Sequence, residues 1–140
     1  MRKTFKIILK YLILFIIGGC GYYGLECCWR GFSHWTMAVL GGFCFVLIGC
    51  INEFFTWEML LWKQCLIGST AVTILEFFTG CIVNLWLRWN VWHYEYFDIL
   101  GQICIPFSLL WFILSGLVIV VDDWLRYWLF GEEKPRYKLK

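Results

Sequence analysis

Four long apolar stretches, Phe5–Leu25, Trp35–Ile51, Trp62–Leu87 and Ile99–Val121, dominate the pattern along the chain, and the polar residues gather between them. A helix rises 1.5 Å per residue, so about 17–25 apolar residues cross a hydrocarbon core roughly 30 Å thick. Each stretch meets that length, the second near its short limit. The pattern predicts an all-α polytopic membrane protein: a bundle of four transmembrane helices, with short loops that make consecutive helices antiparallel neighbours. No linker or low-complexity tract divides residues 1–140, so a single membrane domain is expected. Between the last two spans, Arg88–Asp98 mixes aromatics with charges, as chains do at the headgroup level. After the fourth, residues 122–130 set Trp124, Tyr127 and Trp128 beside Asp122, Asp123 and Arg126, the pattern of an amphipathic helical extension that Pro135 ends.

Polar residues inside the spans fall on helix faces. Ala38, Gly42, Phe45, Gly49 and Asn52 are spaced by three and four, which puts them on one side of the second helix as a packing seam. Ser69, Thr73, Glu76, Gly80 and Asn84 form a polar stripe down the third. Glu76 sits near its middle, where a carboxyl costs about 2.5 kcal/mol or more on insertion scales unless it is protonated, paired or watered. It must face the bundle interior, either as a proton or cation site or substrate-amine contact, or as a hydrogen-bonded carboxyl that fixes packing. At the end of the first span, Gly19, Tyr23, Glu26 and Arg30 share a face, and Glu26 and Arg30 stand at i and i+4 in the favourable order for an ion pair. His34 lies one turn further if the helix persists beyond Gly31. Two readings stand for this group: a surface ion pair, or a polar mouth of Glu26, Arg30 and His34 leading to Glu76. In the fourth span Pro106 predicts a kink, with Gln102 satisfying the carbonyls it frees or donating to a substrate.

Composition agrees with lipid as the solvent. Of the residues 61% are hydrophobic and 16% charged, against about 45–50% and a quarter in soluble domains. Arg2, Lys3, Lys6 and Lys10 flank the first span, and Arg126, Lys134, Arg136, Lys138 and Lys140 follow the last. By the positive-inside rule both termini are cytoplasmic, which requires an even number of spans, and the cell membrane is the expected location. The first stretch is too long for a signal-peptide core of about 7–15 residues, so it reads as a retained helix. The net charge of +2 sits at the two ends, where orientation explains it. Membrane lipids rather than nucleic acid are the expected partners of that basic tail. Eight cysteines are scattered without a CxxC motif, and only Cys27 and Cys28 are adjacent. They read as small buried hydrophobes rather than as redox or metal ligands.

A resemblance adds to this. Gly24-Leu25-Glu26, Arg30-Gly31-Phe32-Ser33-His34, Gly41-Gly42-Phe43-Cys44-Phe45, Ile51-Asn52-Glu53, Leu75-Glu76-Phe77, Asn84, Val91-Trp92-His93-Tyr94 and Gly101-Gln102-Ile103-Cys104 together resemble the motif series of the ABC-transporter type IV, CmpB-like, family of small integral membrane proteins. The match covers nearly the whole chain, although His93-Tyr94-Glu95 stands where an Asp-Tyr-Ser-like run is expected, so no acid's role carries over to position 93. The resemblance implies a multi-helix permease-like protein. It carries Glu26, Arg30, His34, Asn52, Glu53, Glu76, Asn84, Trp92 and Gln102 into a solute-binding site.

The leading expectation is a small transporter or permease component with a polar site inside the bundle. Four helices enclose little volume, so a homodimer is expected to help build the path. No G-x-x-x-x-G-K-[ST] occurs, so any ATP hydrolysis belongs to a separate ATPase or other membrane subunit. The chain also has no H-E-x-x-H, nucleophile elbow or cofactor motif, which argues against an enzyme with a resident cofactor. The alternatives are an intramembrane enzyme pairing His34 with Glu26 or Glu76, and a structural or regulatory subunit.

Overall fold

A computed structural model of the chain describes residues 1–55 and 58–140. Helix α1 spans Arg2–Arg30, and Gly31 closes it in the left-handed conformation (φ 80°) while its N–H caps the Cys27 carbonyl. That glycine ends the helix before His34, as its freedom at positive φ allows. Helices α2 (Trp35–Gly49) and α3 (Ile51–Phe54) are joined at Cys50 and together make the second rod, Trp35–Phe54. Helix α4 (Leu61–Gly80) continues into a π-helical turn, Cys81–Trp86. Two short antiparallel strands, β1 (Asp98–Ile99) and β2 (Ile103–Cys104), precede α5 (Ile105–Phe130).

All four rods are long and apolar enough to cross a membrane, with mean hydropathy between 1.7 and 2.2. The chain is therefore an all-α, four-helix integral membrane protein. Large apolar side chains such as Ile16, Leu47, Phe78 and Ile113 stand on the outside of the bundle, the arrangement that lipid favours. Helix α1 packs chiefly on α2, and α4 chiefly on α5. Glycines set those approaches. A Cβ at Gly18 would overlap the Phe45 side chain, and one at Gly49 would overlap the Asp122 carboxylate. The seam on the second rod thus faces α1 in its first half and α5 near its end.

One boundary differs from the sequence reading. The fourth helix begins at Ile105 rather than at 99, because residues 99–102 form a tight turn in which Gln102 N–H donates to the Ile99 carbonyl at 3.0 Å. Its central residues, Leu100 and Gly101, both have positive φ (53° and 72°), the geometry that a hairpin with right-handed strand twist requires. Pro106 consequently lies in the first turn of α5, where its missing N–H has no intrahelical partner to lose, and it kinks nothing. Residues 122–130 are helical, as expected, and continue α5 without a break. Asp122, Asp123 and Arg126 are buried against the other rods.

The cysteines also depart from expectation. All eight are free, but only Cys65 and Cys104 are buried, while Cys20 and Cys28 are exposed on α1. A thiol is apolar enough to face lipid, so placement on an apolar helix does not imply burial in the bundle.

Candidate functional site

The polar stripe on the third rod faces inward and meets partners from every side. Thr73 Oγ1 donates to Ser108 Oγ at 3.2 Å, joining α4 to α5. One turn on, Glu76 is 4% exposed; its Oε1 accepts from Tyr94 Oη at 2.7 Å and its Oε2 from Trp111 Nε1 at 2.8 Å. Burial, followed by the adjacent Glu76 charge, pushes the Tyr94 phenol above its usual range, so Tyr94 remains a donor at neutral pH.

At the end of the third rod the π-helical turn widens the backbone around Asn84, whose amide organises the returning loop. Asn84 Oδ1 accepts from Val91 N–H at 2.7 Å and Trp92 N–H at 3.3 Å, and its Nδ2 donates to Gln102 Oε1 at 2.8 Å. Gln102 Nε2 in turn donates to the Leu100 carbonyl at 2.8 Å, and Trp92 Nε1 donates to the Gln102 carbonyl at 3.0 Å. Gln102 therefore satisfies a loop carbonyl rather than carbonyls freed by a proline kink. Val91 and Trp92 pack with Met37, Leu40 and Val83, so these two residues of segment 88–98 dip into the end of the bundle while most of the segment stays exposed.

Glu26 and Arg30 form the expected ion pair at 2.7 Å, and Arg30 also reaches the Val91 carbonyl at 3.3 Å. Tyr22 donates to Glu26 at 3.0 Å, and its ring shares a cavity lining with Glu76 and Trp111. His34 does not join them. Its Nδ1 accepts from Thr36 N–H at 3.3 Å as the N-cap of α2, and its ring lies against Trp35 and Trp89. Among the described residues His34 makes no hydrogen bond to Glu26 or Glu76, so the His–carboxylate pair that an acid–base enzyme would need is not assembled. The helix stop at Gly31 is the physical reason.

The cavity itself, about 340 Å³, lies between α1 and α5. Its lining is apolar apart from Tyr22, Glu76, Trp111 and Ser115, and Glu76 is the one carboxylate among the lining residues.

Asn52 and Glu53 belong to a different cluster at the opposite end. Arg126 Nε donates to Asp122 Oδ2 at 2.6 Å, and its Nη1 pairs with Glu53. Glu53 also accepts from Lys10 at 3.2 Å and Tyr11 at 2.6 Å, while Lys10 reaches Glu132 at 2.7 Å. Asp123 accepts from Asn52 at 2.6 Å and Tyr137 at 3.0 Å. Lys10 and Arg126 thus knit α1, α3, α5 and the C-terminal tail together. Of the nine residues carried from the sequence, six sit in one half of the bundle around Glu76 and Asn84, Asn52 and Glu53 lie in this knot at the opposite end, and His34 serves as a cap.

The partners that matter most around Glu76, namely Tyr22, Tyr94 and Trp111, escaped the sequence reading because they come from three different elements. Asp122 and Arg126 carry a local signal, the same i, i+4 spacing as Glu26 and Arg30, which identifies the pair but not its burial against the other rods. Among the described residues no three His, Cys, Asp or Glu side chains converge on a metal-sized site. No family model matches the chain, and neither a curated protein nor a solved structure is similar to it.

Proposed function

We propose that the protein is a small transporter or permease component whose solute contacts Glu76 inside the bundle. The observation that carries this reading is a buried mid-span carboxylate that lines a cavity and has no cationic partner among the described residues. An ionisable group within the hydrocarbon zone is costly, and it is retained where a pathway or ligand uses it. The motif resemblance to the CmpB-like proteins points the same way. Both termini are assigned to the cytoplasmic side of the cell membrane, in keeping with the basic flanks and with the Lys10–Glu132 tie between the first and last helices. Under this reading a homodimer forms the path for downhill flux, and a separate ATPase or other membrane subunit serves only to energise it.

The purified full chain in liposomes, assayed for proton and organic-solute flux, tests it. Flux is expected from the wild type and not from Glu76→Gln, with both unfolding at similar temperatures. Equal flux from the two overturns the assignment. A second reading, a structural membrane subunit, is favoured by one observation: each Glu76 oxygen already accepts a hydrogen bond. Under it neither form conducts, and Glu76→Gln changes stability alone.

A further inference from the structure

The cavity beside Glu76 is closed at both ends and open at its side. One end is plugged by Val91, Trp92 and the fully buried Gln102. The opposite end is crossed by the Asp122–Arg126–Glu53 network. Between α1 and α5, however, the walls are Ile17, Gly21 and Leu25 on one side and Leu117, Val118 and Val121 on the other. Leu25 and Leu117 are 56% and 57% exposed, so residues that line the cavity also face the hydrocarbon around the bundle. A molecule reaching Glu76 through this gap arrives from lipid rather than from water.

The charge balance within the spans says what kind of molecule. Glu26 is paired with Arg30, both Glu53 and Asp122 with Arg126, and Asp123, held by Asn52 and Tyr137, lies in the field of the same arginine. The partners of Glu76 are two neutral donors, Tyr94 and Trp111, which leave acceptor capacity on the carboxyl and no cation to balance it when it is ionised. The rings of Tyr22 and Trp111, tilted by 54° with centroids 6.0 Å apart, pack on each other and line the same space, adding aromatic surface next to Glu76. A volume of about 340 Å³ is within the range of small-ligand pockets, roughly 300–1,000 Å³.

We propose that the gap between α1 and α5 is a lateral, lipid-side entry for an amphiphilic monoamine, whose ammonium docks on Glu76 beside the Tyr22 and Trp111 rings and whose apolar body fills the cavity. The assignment rests on the reading that Glu76 contacts a solute. One carboxylate calls for a single positive charge, and the free lone pairs call for an N–H. The apolar walls call for a hydrocarbon or aryl body and exclude small hydrated cations, which would lose their water without replacement oxygens.

The test uses 4-phenylbutylamine, cationic at neutral pH, and its neutral counterpart 4-phenylbutan-1-ol, titrated calorimetrically into the full chain in lipid nanodiscs with empty nanodiscs as the blank. The amine is expected to bind at one site per chain, and about tenfold or more tighter than the alcohol, as one charge-assisted hydrogen bond allows. Glu76→Gln should abolish that preference. Gly21→Leu places a side chain at a cavity wall where a Cβ meets nothing within 4 Å, so it should fold normally and block both ligands. Equal binding of amine and alcohol to the wild type, or amine binding that survives Gly21→Leu, overturns the proposal. Amine binding without flux in liposomes upholds this site and removes the transport reading. Glu76-dependent flux of a hydrophilic solute with no amine binding does the reverse.

Discussion

Trp111 Nε1 donates to Glu76 Oε2 at 2.8 Å, so the carboxylate in the third span is held by the fourth as well as by the loop between them through Tyr94. The contact joins residues 35 apart in sequence and makes the placement of the charge a property of the bundle rather than of one helix.

Two neutral replacements of Glu76 separate its acceptor role from its charge. Glu76→Gln keeps a carbonyl for one donor, whereas Glu76→Leu leaves the Tyr94 hydroxyl and the Trp111 indole without an acceptor. Because neither variant carries charge, the difference between them isolates the unmade hydrogen bonds, and Glu76→Leu is expected to be less stable by about 1–3 kcal/mol. Unfolding of the purified proteins in detergent measures it; equal stability would mean that the two donors find other partners.

The Arg126 knot should be more sensitive. Asp122 is wholly buried and Arg126 is 3% exposed, so Arg126→Met strands a charge with no solvent. Breaking such a pair from one side costs about 3–5 kcal/mol, while removing both charges is often close to neutral. Arg126→Met is therefore expected to lower stability severely and Asp122→Asn in the same chain to recover most of the loss. A double variant as unstable as the sum of the singles would refute the coupling.

Close approach at glycines gives a third expectation. Gly18→Ala and Gly49→Ala push a methyl into Phe45 and the Asp122 carboxylate, which should cost about 1–3 kcal/mol as overpacking. Gly21→Ala meets open space on the same helix as Gly18, so helix propensity alone acts and stabilises by up to about 1 kcal/mol. Opposite signs at positions 18 and 21, read from unfolding temperatures, are the signature.

Alkaline stability should depend on Tyr137, which lies beyond the last span. Burial, and then the charge of Asp123, raise its phenol above the ordinary tyrosine value. A raised folded pKa means that its contribution is complete below the unfolded value, about 10, and is lost as pH climbs through the folded one. The wild type is expected to lose stability above about pH 10 more steeply than Tyr137→Phe. Parallel curves for the two would show that the phenol's proton is not coupled to folding.

Local geometry explains which features were legible in the chain itself. Ser69, Glu76 and Asn84 face inward because helical spacing puts them on one side, and Glu26 meets Arg30 because four residues make one turn. The start of the fourth helix was not legible. Hydropathy treats Ile99–Cys104 as more of the same apolar run, and nothing in that measure separates a hairpin turning on Leu100 and Gly101 from a first helical turn. The burial of Arg126 was not legible for another reason: it depends on Lys10 and Glu53, each far away in sequence, converging on the same end of the bundle.

By itself, then, the sequence determined the solvent, the number of spans and the inward face of the third helix, since apolar length and helical periodicity are properties of neighbours along the chain. Only the tertiary structure decided that Glu76 meets Tyr94 and Trp111 beside a cavity, that His34 caps a helix instead of joining it, and that Asn52 and Glu53 belong to the Arg126 knot. Those outcomes depend on which helices lie side by side and at what height, and that is set by glycine approaches and buried polar pairs distributed across the whole chain.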